Sequence, residues 1–316
     1  MKKGAIIALI VAFVLILTGG LILVFGLSFA GTAEDPVTTL TESEHSVSEP
    51  FDNILVDTED CNVEFVVFNG EADPHVVIRE RERTSHQVLV EDGTLKIKMV
   101  DQRRWQDHIG LNWENMEMTV YLPQRQYENV RVTTATGHIQ IPEVFSAKEL
   151  ALRSDTGRVT CKAQVTEDFT CFTATGSINA QGTSAEKIRL VSNTGKITLS
   201  NVAGKEIGLQ NDTGKTEAEN VTCEVLASES ETGDVLLRGV LADRLLQIET
   251  DTGDVRIEDC DAGNTNIETD TGDVSGHFLT PKWFSAISDT GHVNVPSTPG
   301  GGDCRIETDT GDIHFE

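Results

Sequence analysis

Residues 248–274 read IETDTGDVRIEDCDAGNTNIETDTGDV, so the heptapeptide Ile248–Asp254 returns unchanged as Ile267–Asp273, and once more as Ile306–Asp312. The Thr-Gly pair inside it recurs ten times, at Gly137, Gly157, Gly176, Gly195, Gly214, Gly233, Gly253, Gly272, Gly291 and Gly311, always 19 or 20 residues apart. A period near twenty belongs to solenoids, in which each coil buries its apolar side only by stacking on its neighbours. Counted from each glycine, positions +2 (Ile139, Val159, Ile178, Val255), +4 (Ile141, Leu199, Leu237, Ile257) and −5 (Val132, Leu152, Leu190, Ile267) are mostly apolar. Alternation on both sides of Thr-Gly predicts two short strands meeting at a corner. Position −3 is always Ser, Thr or Asn, from Thr134 to Thr308, and a short polar side chain there can bond the turn backbone. The expected fold is all-β, a parallel β-solenoid (β-helix-like) of about 19–20-residue coils, preceded by one N-terminal transmembrane helix.

That helix is read from the other end of the chain. Lys2 and Lys3 precede an uncharged run from Gly4 to Ala33, longer than the roughly 20 residues that span a bilayer. Lysines before it and acidic residues after it place the N-terminus in the cytoplasm and the rest outside. Ser28-Phe29-Ala30 loosely resembles a cleavage site, but a signal peptide's apolar region is about 7–15 residues, so the run reads as an uncleaved anchor. The organisation is then a cytoplasmic stub at 1–4, an anchor at 5–30, a linker at 31–50, an N-terminal β region with degenerate first coils and a cap at 51–130, and regular repeats at 131–316. Cys61-Asn62 sits near the corner of a degenerate coil. The segments 76–80, 87–90, 94–100 and 116–122 alternate like strands. The Trp105–Trp113 segment breaks the pattern. It reads as a loop capping the first coil, and Trp105 and Trp113 are the residues a partner contact there would use.

The formal net charge is −26, which argues against a nucleic-acid partner. Residues 131–227 carry 11 acidic and 10 basic side chains, whereas residues 228–316 carry 19 and 5. Stacking sets Glu249, Asp251 and Asp254 against Glu268, Asp270 and Asp273, and like charges one coil apart raise each other's pKa. This ridge reads as a solvated face that keeps the protein soluble. Asp251, Asp254, Asp270 and Asp273 are the residues a Ca²⁺ ion would use, but the Gly-Gly-x-Gly-x-Asp pattern of calcium-binding repeats is missing and no metal or other cofactor is expected. Six cysteines show no Cys-x-x-Cys or zinc spacing. Outside a cell they are able to form disulfides, yet Cys161 and Cys171 occupy apolar columns and read more simply as small buried side chains.

Asp-Thr-Gly also marks aspartic proteases, which need two carboxylates facing each other. Here the copies stack in line, so no catalytic residue is assigned. A polysaccharide lyase or hydrolase is the alternative, but the repeats carry one Trp, Trp283, and no Tyr for a sugar cleft.

The Lys2-Lys3 anchor, Phe51-Asp52-Asn53-Ile54, the strand end Tyr121-Leu122-Pro123, and the serial Thr-Gly-(Asp/Lys/His)-(Val/Ile) coils together resemble the bacterial putative-adhesin β-solenoid family. The resemblance covers nearly all of residues 50–316. It implies a membrane-anchored envelope protein, often Gram-positive, of a family with no assigned catalytic residues. The expectation is therefore a single-pass protein of the cell membrane with an extracytoplasmic domain. It would act as a binding, adhesion or scaffolding module, with an envelope protein or glycan as partner.

Overall fold

The computed structural model describes residues 40–70, 72–81, 83–102, 116–297 and 300–316. The N-terminal end holds β1 (Leu40–Ser46), β2 (Asn53–Thr58), β3 (Cys61–Phe68), β4 (His75–Arg81), β5 (Thr84–Glu91), β6 (Thr94–Asp101) and β7 (Met116–Pro123). The repeats follow as β8 (Gln126–Thr136), β9 (Ile139–Ile141), β10 (Ser146–Thr156), β11 (Val159–Cys161), β12 (Gln164–Thr175), β13 (Ile178–Gln181) and β14 (Ser184–Thr194). Four long strands come next: β15 (Ile197–Thr213), β16 (Thr216–Thr232), β17 (Val235–Thr252) and β18 (Val255–Thr271). The chain closes with β19 (Val274–Phe278), β20 (Trp283–Thr290), β21 (Val293–Asn294), β22 (Asp303–Thr310) and β23 (Ile313–Phe315). No helix occurs among the described residues, and none there is long and apolar enough to cross a membrane. The anchor read at 5–30 and the Trp105–Trp113 segment lie outside them. β1 takes up part of the stretch read as linker, pairing antiparallel with β4 from Leu40↔Arg81 to Ser46↔His75.

The repeats stack in parallel and in register: Thr156 lies beside Thr175, Thr175 beside Thr194, and Thr194 beside Thr213. The period-two pattern buries positions +2, +4 and −5 as expected, and position −7 with them (Val130, Leu150, Phe169, Ile188, Ile207, Leu226, Leu246). Each such aliphatic side chain contributes about 1.5–3 kcal/mol on burial. A Cβ placed on Gly157 would stand 2.0 Å from the carbonyl oxygen of Gly137, and one on Gly233 1.9 Å from that of Gly214. The corner therefore demands glycine chiefly because neighbouring coils touch backbone to backbone there. Each corner N–H from Gly137 to Gly272, and that of Gly311, donates across the stack, as Gly157 does to Thr175 at 3.0 Å. The polar residue at −3 bonds the adjacent coil rather than its own turn, except at Ser230 and Thr250, whose buried hydroxyls have no partner. Ser154, Ser192 and Asn211 donate to the carbonyls of Gly137, Gly176 and Gly195 at 2.8, 3.1 and 3.0 Å. A second corner sits at position +6, where Gly182, Asn201, Asn220, Gly239 and Asp259 have φ of 63°, 55°, 54°, 60° and 53°. Glycine and the short polar residues adopt this left-handed conformation most readily.

At both ends spatial order departs from chain order. β2 lies between β6 and β8, and β3 between β7 and β9, so the first coil laid down becomes an inner layer. Antiparallel β4 and β5 then cover that end, pairing with β7 and β6. Cys61 takes the glycine's place in this coil, its carbonyl being the one that Gly137 approaches. At the other end, β22 inserts between β18 and β20. The Gly291 coil is thus the last layer, with a neighbour on one side only. For that reason Val293, at an inward position, is 43% exposed.

A buried cation closes this end. Lys282 donates to the Ala262 carbonyl at 2.6 Å, to Thr280 Oγ1 at 3.2 Å, and to the carboxylate of Asp261. Burial on its own would raise the Asp261 carboxyl, but the Lys282, Thr280 and Ala262 donors together hold it below its ordinary value. All six cysteines are buried and unpaired, so no disulfide staples the stack. Loss of solvation pushes the thiols of Cys61, Cys161, Cys223 and Cys304 up to about 12, and that of Cys260 to about 11.

Two outcomes are expected. Gly233→Ala should cost about 1–3 kcal/mol or more in urea denaturation. Gly208→Ala should be close to neutral, because the nearest atom to its Cβ is 4.0 Å away. A neutral Gly233→Ala would refute the backbone contact as the reason for the glycine column. Asp261 has a depressed folded value, so its contribution is present above its unfolded value near pH 4 and is lost as pH falls further. The stability gap between the wild type and Asp261→Asn should accordingly narrow below about pH 4; a gap that stays constant from pH 6 to pH 3 would count against the Lys282 pair.

Candidate functional site: an outward groove across the coils

On the strand before each Thr-Gly corner, positions −8, −6, −4 and −2 face outward. Position −6 is small at Ala151, Thr170, Gly208 and Ala227 and is interrupted by Arg189 between Thr170 and Gly208, with Arg131 at its start, while the flanking columns are tall: Glu149, Asp168 and Lys187 at −8, and Arg153, Phe172 and Val191 at −4. Stacking turns this into a groove that runs across the strands. Two contiguous cavities of 680 and 550 Å³ share Arg131, Ala151, Thr170 and Arg189. The first extends to Asn53 and Leu55 on β2, and the second is lined by Thr133, Leu152, Arg153, Phe172 and Val191.

The groove's charge is opposite in sign to that of the protein. Three arginines line the second cavity and no carboxylate does, whereas the first adds Lys187 together with Glu149 and Asp168, so the balance over the two is positive and the positive end is the second cavity. Arg153 is braced, with its guanidinium 4.2 Å from the Phe172 ring centroid and 2.8 Å from Asp155. Arg189 reaches only Gln210, at 3.4 Å. Among the described residues neither Arg131 nor Arg189 has a carboxylate partner. Lys98, Arg158 and Lys162, outside the groove, share that lack, but other cations are paired across coils, as in Lys205–Glu186 at 2.5 Å and Arg238–Glu258 at 2.8 Å, which lower the carboxyls of Glu186 and Glu258. Farther along the same face the sign reverses: Asp212, Glu229, Glu231, Glu249 and Asp251 line a cavity of 380 Å³.

The acidic ridge is knitted to the backbone. Asp234 Oδ1 accepts the N–H of Asp254 at 3.2 Å, Asp254 Oδ1 that of Asp273 at 2.9 Å, Asp273 Oδ1 that of Asp312 at 2.8 Å, and Asp312 Oδ1 that of His292 at 2.8 Å. At Asp312 the His292 N–H, and then its ring, hold the carboxyl below its ordinary value. Asn62 and His138 do the same for His138 and Arg158 in the first coils, each at 2.9 Å. Glu249 lies beside Glu268 as expected. Asp251 and Asp270, at the outward position −2, take no part in this +1 ladder, so the four residues read as calcium candidates divide between two columns. Among the described residues no group of three or more His, Cys, Asp or Glu side chains is placed to hold a metal ion. Trp105 and Trp113 fall outside the described residues.

One constellation is not visible in the linear sequence. His86 Nδ1 lies 2.9 Å from Glu80 Oε2, and His86 Nε2 lies 2.8 Å from Thr58 Oγ1. The chain Glu80–His86–Thr58 has the order of a hydrolase relay, but Thr58 and His86 are buried, 4% and 5% exposed. None of these three cavities opens onto them. Glu80 also accepts the His86 N–H at 2.7 Å and the Ser43 hydroxyl at 3.3 Å, tying β1 and β5 to β4. These contacts make it a clasp of the N-terminal cap.

The sequence profile of the Toastrack DUF4097 family matches residues 51–224 and 206–316. The protein belongs to that family. The chain is also similar to three solved structures: the putative lipid binding protein from Parabacteroides distasonis ATCC 8503 (12% identity, TM-score 0.44, covering 88% of this chain and 97% of that one), the putative adhesin from Bacteroides fragilis NCTC 9343 (13%, 0.42, 89% and 99%), and the putative cell adhesion protein from Clostridium sporogenes ATCC 15579 (11%, 0.23, 88% and 99%). Likenesses at these scores carry no argument about ligand or activity. No curated protein matches the chain.

The ladder of side chain to backbone bonds makes its own prediction. Asp254→Ala removes the acceptor of the Asp273 N–H and should cost about 1 kcal/mol. Asp254→Asn keeps an acceptor and relieves charge, so it should cost less than Asp254→Ala. Equal losses in the two variants, measured by urea denaturation, would contradict the ladder.

Proposed function

We propose that the protein is a non-catalytic binding module of the cell envelope. Residues 5–30 hold it in the membrane, the β-solenoid lies on the outer side, and the outward groove is its contact face. One observation carries the reading. In a chain of net charge −26, Arg131 and Arg189 stand without carboxylate partners over an apolar-floored groove. Exposed unpaired charge of the minority sign, gathered on one face, serves recognition rather than the stability of the stack, since exposed charges add little to folding. The long uncharged run after Lys2-Lys3 supports the anchor. The in-line, solvent-facing carboxylates give no pair set for acid–base work, which weighs against the carbohydrate-active alternative.

The test places a photo-activated cross-linking residue in the full-length protein in intact cells, at Thr170 in the groove or at Thr160 on the outward face of β11. Cross-linked species should form from Thr170 and not from Thr160. Equal yields from the two positions, or none from either, would remove the groove as the contact face. Cleavage of peptide or glycan substrates by the purified protein, abolished by Thr58→Val, would overturn the non-catalytic reading.

A further inference from the structure

We propose that the groove between Arg131 and Arg189 holds an extended acidic segment of a partner protein. This rests on the groove being the contact face and assigns what that face binds. Arg131 and Arg189 occupy the same column, position −6, three coils apart on β8, β10, β12 and β14. At about 4.8 Å per coil they are roughly 14 Å apart. Side chains on one side of an extended peptide repeat every 6.6–6.8 Å or so, so acidic residues four apart meet both guanidiniums. Arg153, in the next outward column, is left to contact the intervening residue or its carbonyl. Arginine matches a carboxylate with two parallel hydrogen bonds, which favours this pairing over a single point contact.

The apolar lining of floor and wall narrows the choice of polyanion. Ala151, Phe172 and Val191 offer apolar surface between the charges, which suits a peptide carrying apolar side chains between acidic ones and leaves a phosphate polymer's backbone unmatched. Arg153 already lies over the Phe172 ring, so the aromatic face that a sugar would stack on is taken. The groove also has a polarity. Beyond Gln210 it runs into Glu229, Glu231 and Glu249, which repel an acidic chain and end the site. The partner's acidic stretch is therefore short, and its next residues toward β17 are neutral or basic.

The experiment uses the full-length protein in neutral detergent and a fluorescein-labelled twelve-residue peptide of three Glu-Ser-Val-Ser repeats, which places Glu every fourth residue with Val midway on the same side, read by anisotropy. Saturable binding is expected. It should weaken about tenfold or more in Arg131→Ala/Arg189→Ala, as lost charge-assisted bonds require. It should also weaken at about 0.5 M salt. Glu268→Ala, outside the groove, should leave it unchanged. Unchanged melting temperatures would show that the variants remain folded. No saturable binding by the wild type, or equal binding by the double variant, overturns the proposal. Polyphosphate and polygalacturonate are measured in parallel. Arginine-dependent binding of either one without binding of the peptide also overturns the acidic-peptide assignment, while cross-linking at Thr170 would still hold the groove as the contact face. Failure of that cross-linking removes both readings.

Discussion

Backbone meets backbone at every Thr-Gly corner, and that contact sets the terms for the rest of the molecule. With a neighbour's carbonyl 1.9–2.3 Å from where a Cβ would be, from Gly137 to Gly311, no other residue allows the coils to close to strand spacing. Once they close, every position in the coil becomes a column. Aliphatic columns fill the interior, and most of the −3 hydroxyls and amides, though not Ser230 and Thr250, bond the carbonyls of the neighbouring corner. A defect in one coil is then shared with both neighbours, because each coil has no core of its own.

The same stacking explains how the chain tolerates like charges in line. A carboxylate at +1 is held within reach of the next coil's N–H, so a bond offsets part of the repulsion that the linear sequence suggests. Columns also segregate charge along the stack. Outward positions carry arginine, phenylalanine and valine in the early coils and glutamate in the later ones. One face therefore has two chemically different halves, although each coil taken separately is ordinary in composition.

Much of this architecture was legible in the sequence, and the exceptions have physical causes. The corner glycines, the inward columns and the degenerate coil at Cys61 follow from periodicity alone. The second corner was there to be read too, since position +6 carries Gly182, Asn201, Asn220, Gly239 and Asp259, but Asn and Asp are not exclusive to left-handed backbone. The swapped order at the ends left no trace in the spacing: Gly291 and Gly311 are 20 residues apart, like other neighbours, although the later coil is the inner one. The groove was hidden because its walls and floor come from coils 19–20 residues apart whose outward residues follow no repeat. The Glu80–His86–Thr58 clasp joins β2, β4 and β5, which only the folded cap brings together.

The inserted coil at the C-terminal end has a consequence for how the molecule comes to be made. The coil of Gly291 precedes the coil of Gly311 in the chain, yet it must leave a space one strand wide for it. The Gly291 and Gly311 coils carry the same Thr-Gly corner at the same spacing, so the corner of either one matches the edge of the Gly272 coil. Two stacking orders are therefore compatible with the corners, and β22 and β23 take the inner place although they come later in the chain. The repeats are thus alike enough to stack either way, and their order must be set by residues outside the corner.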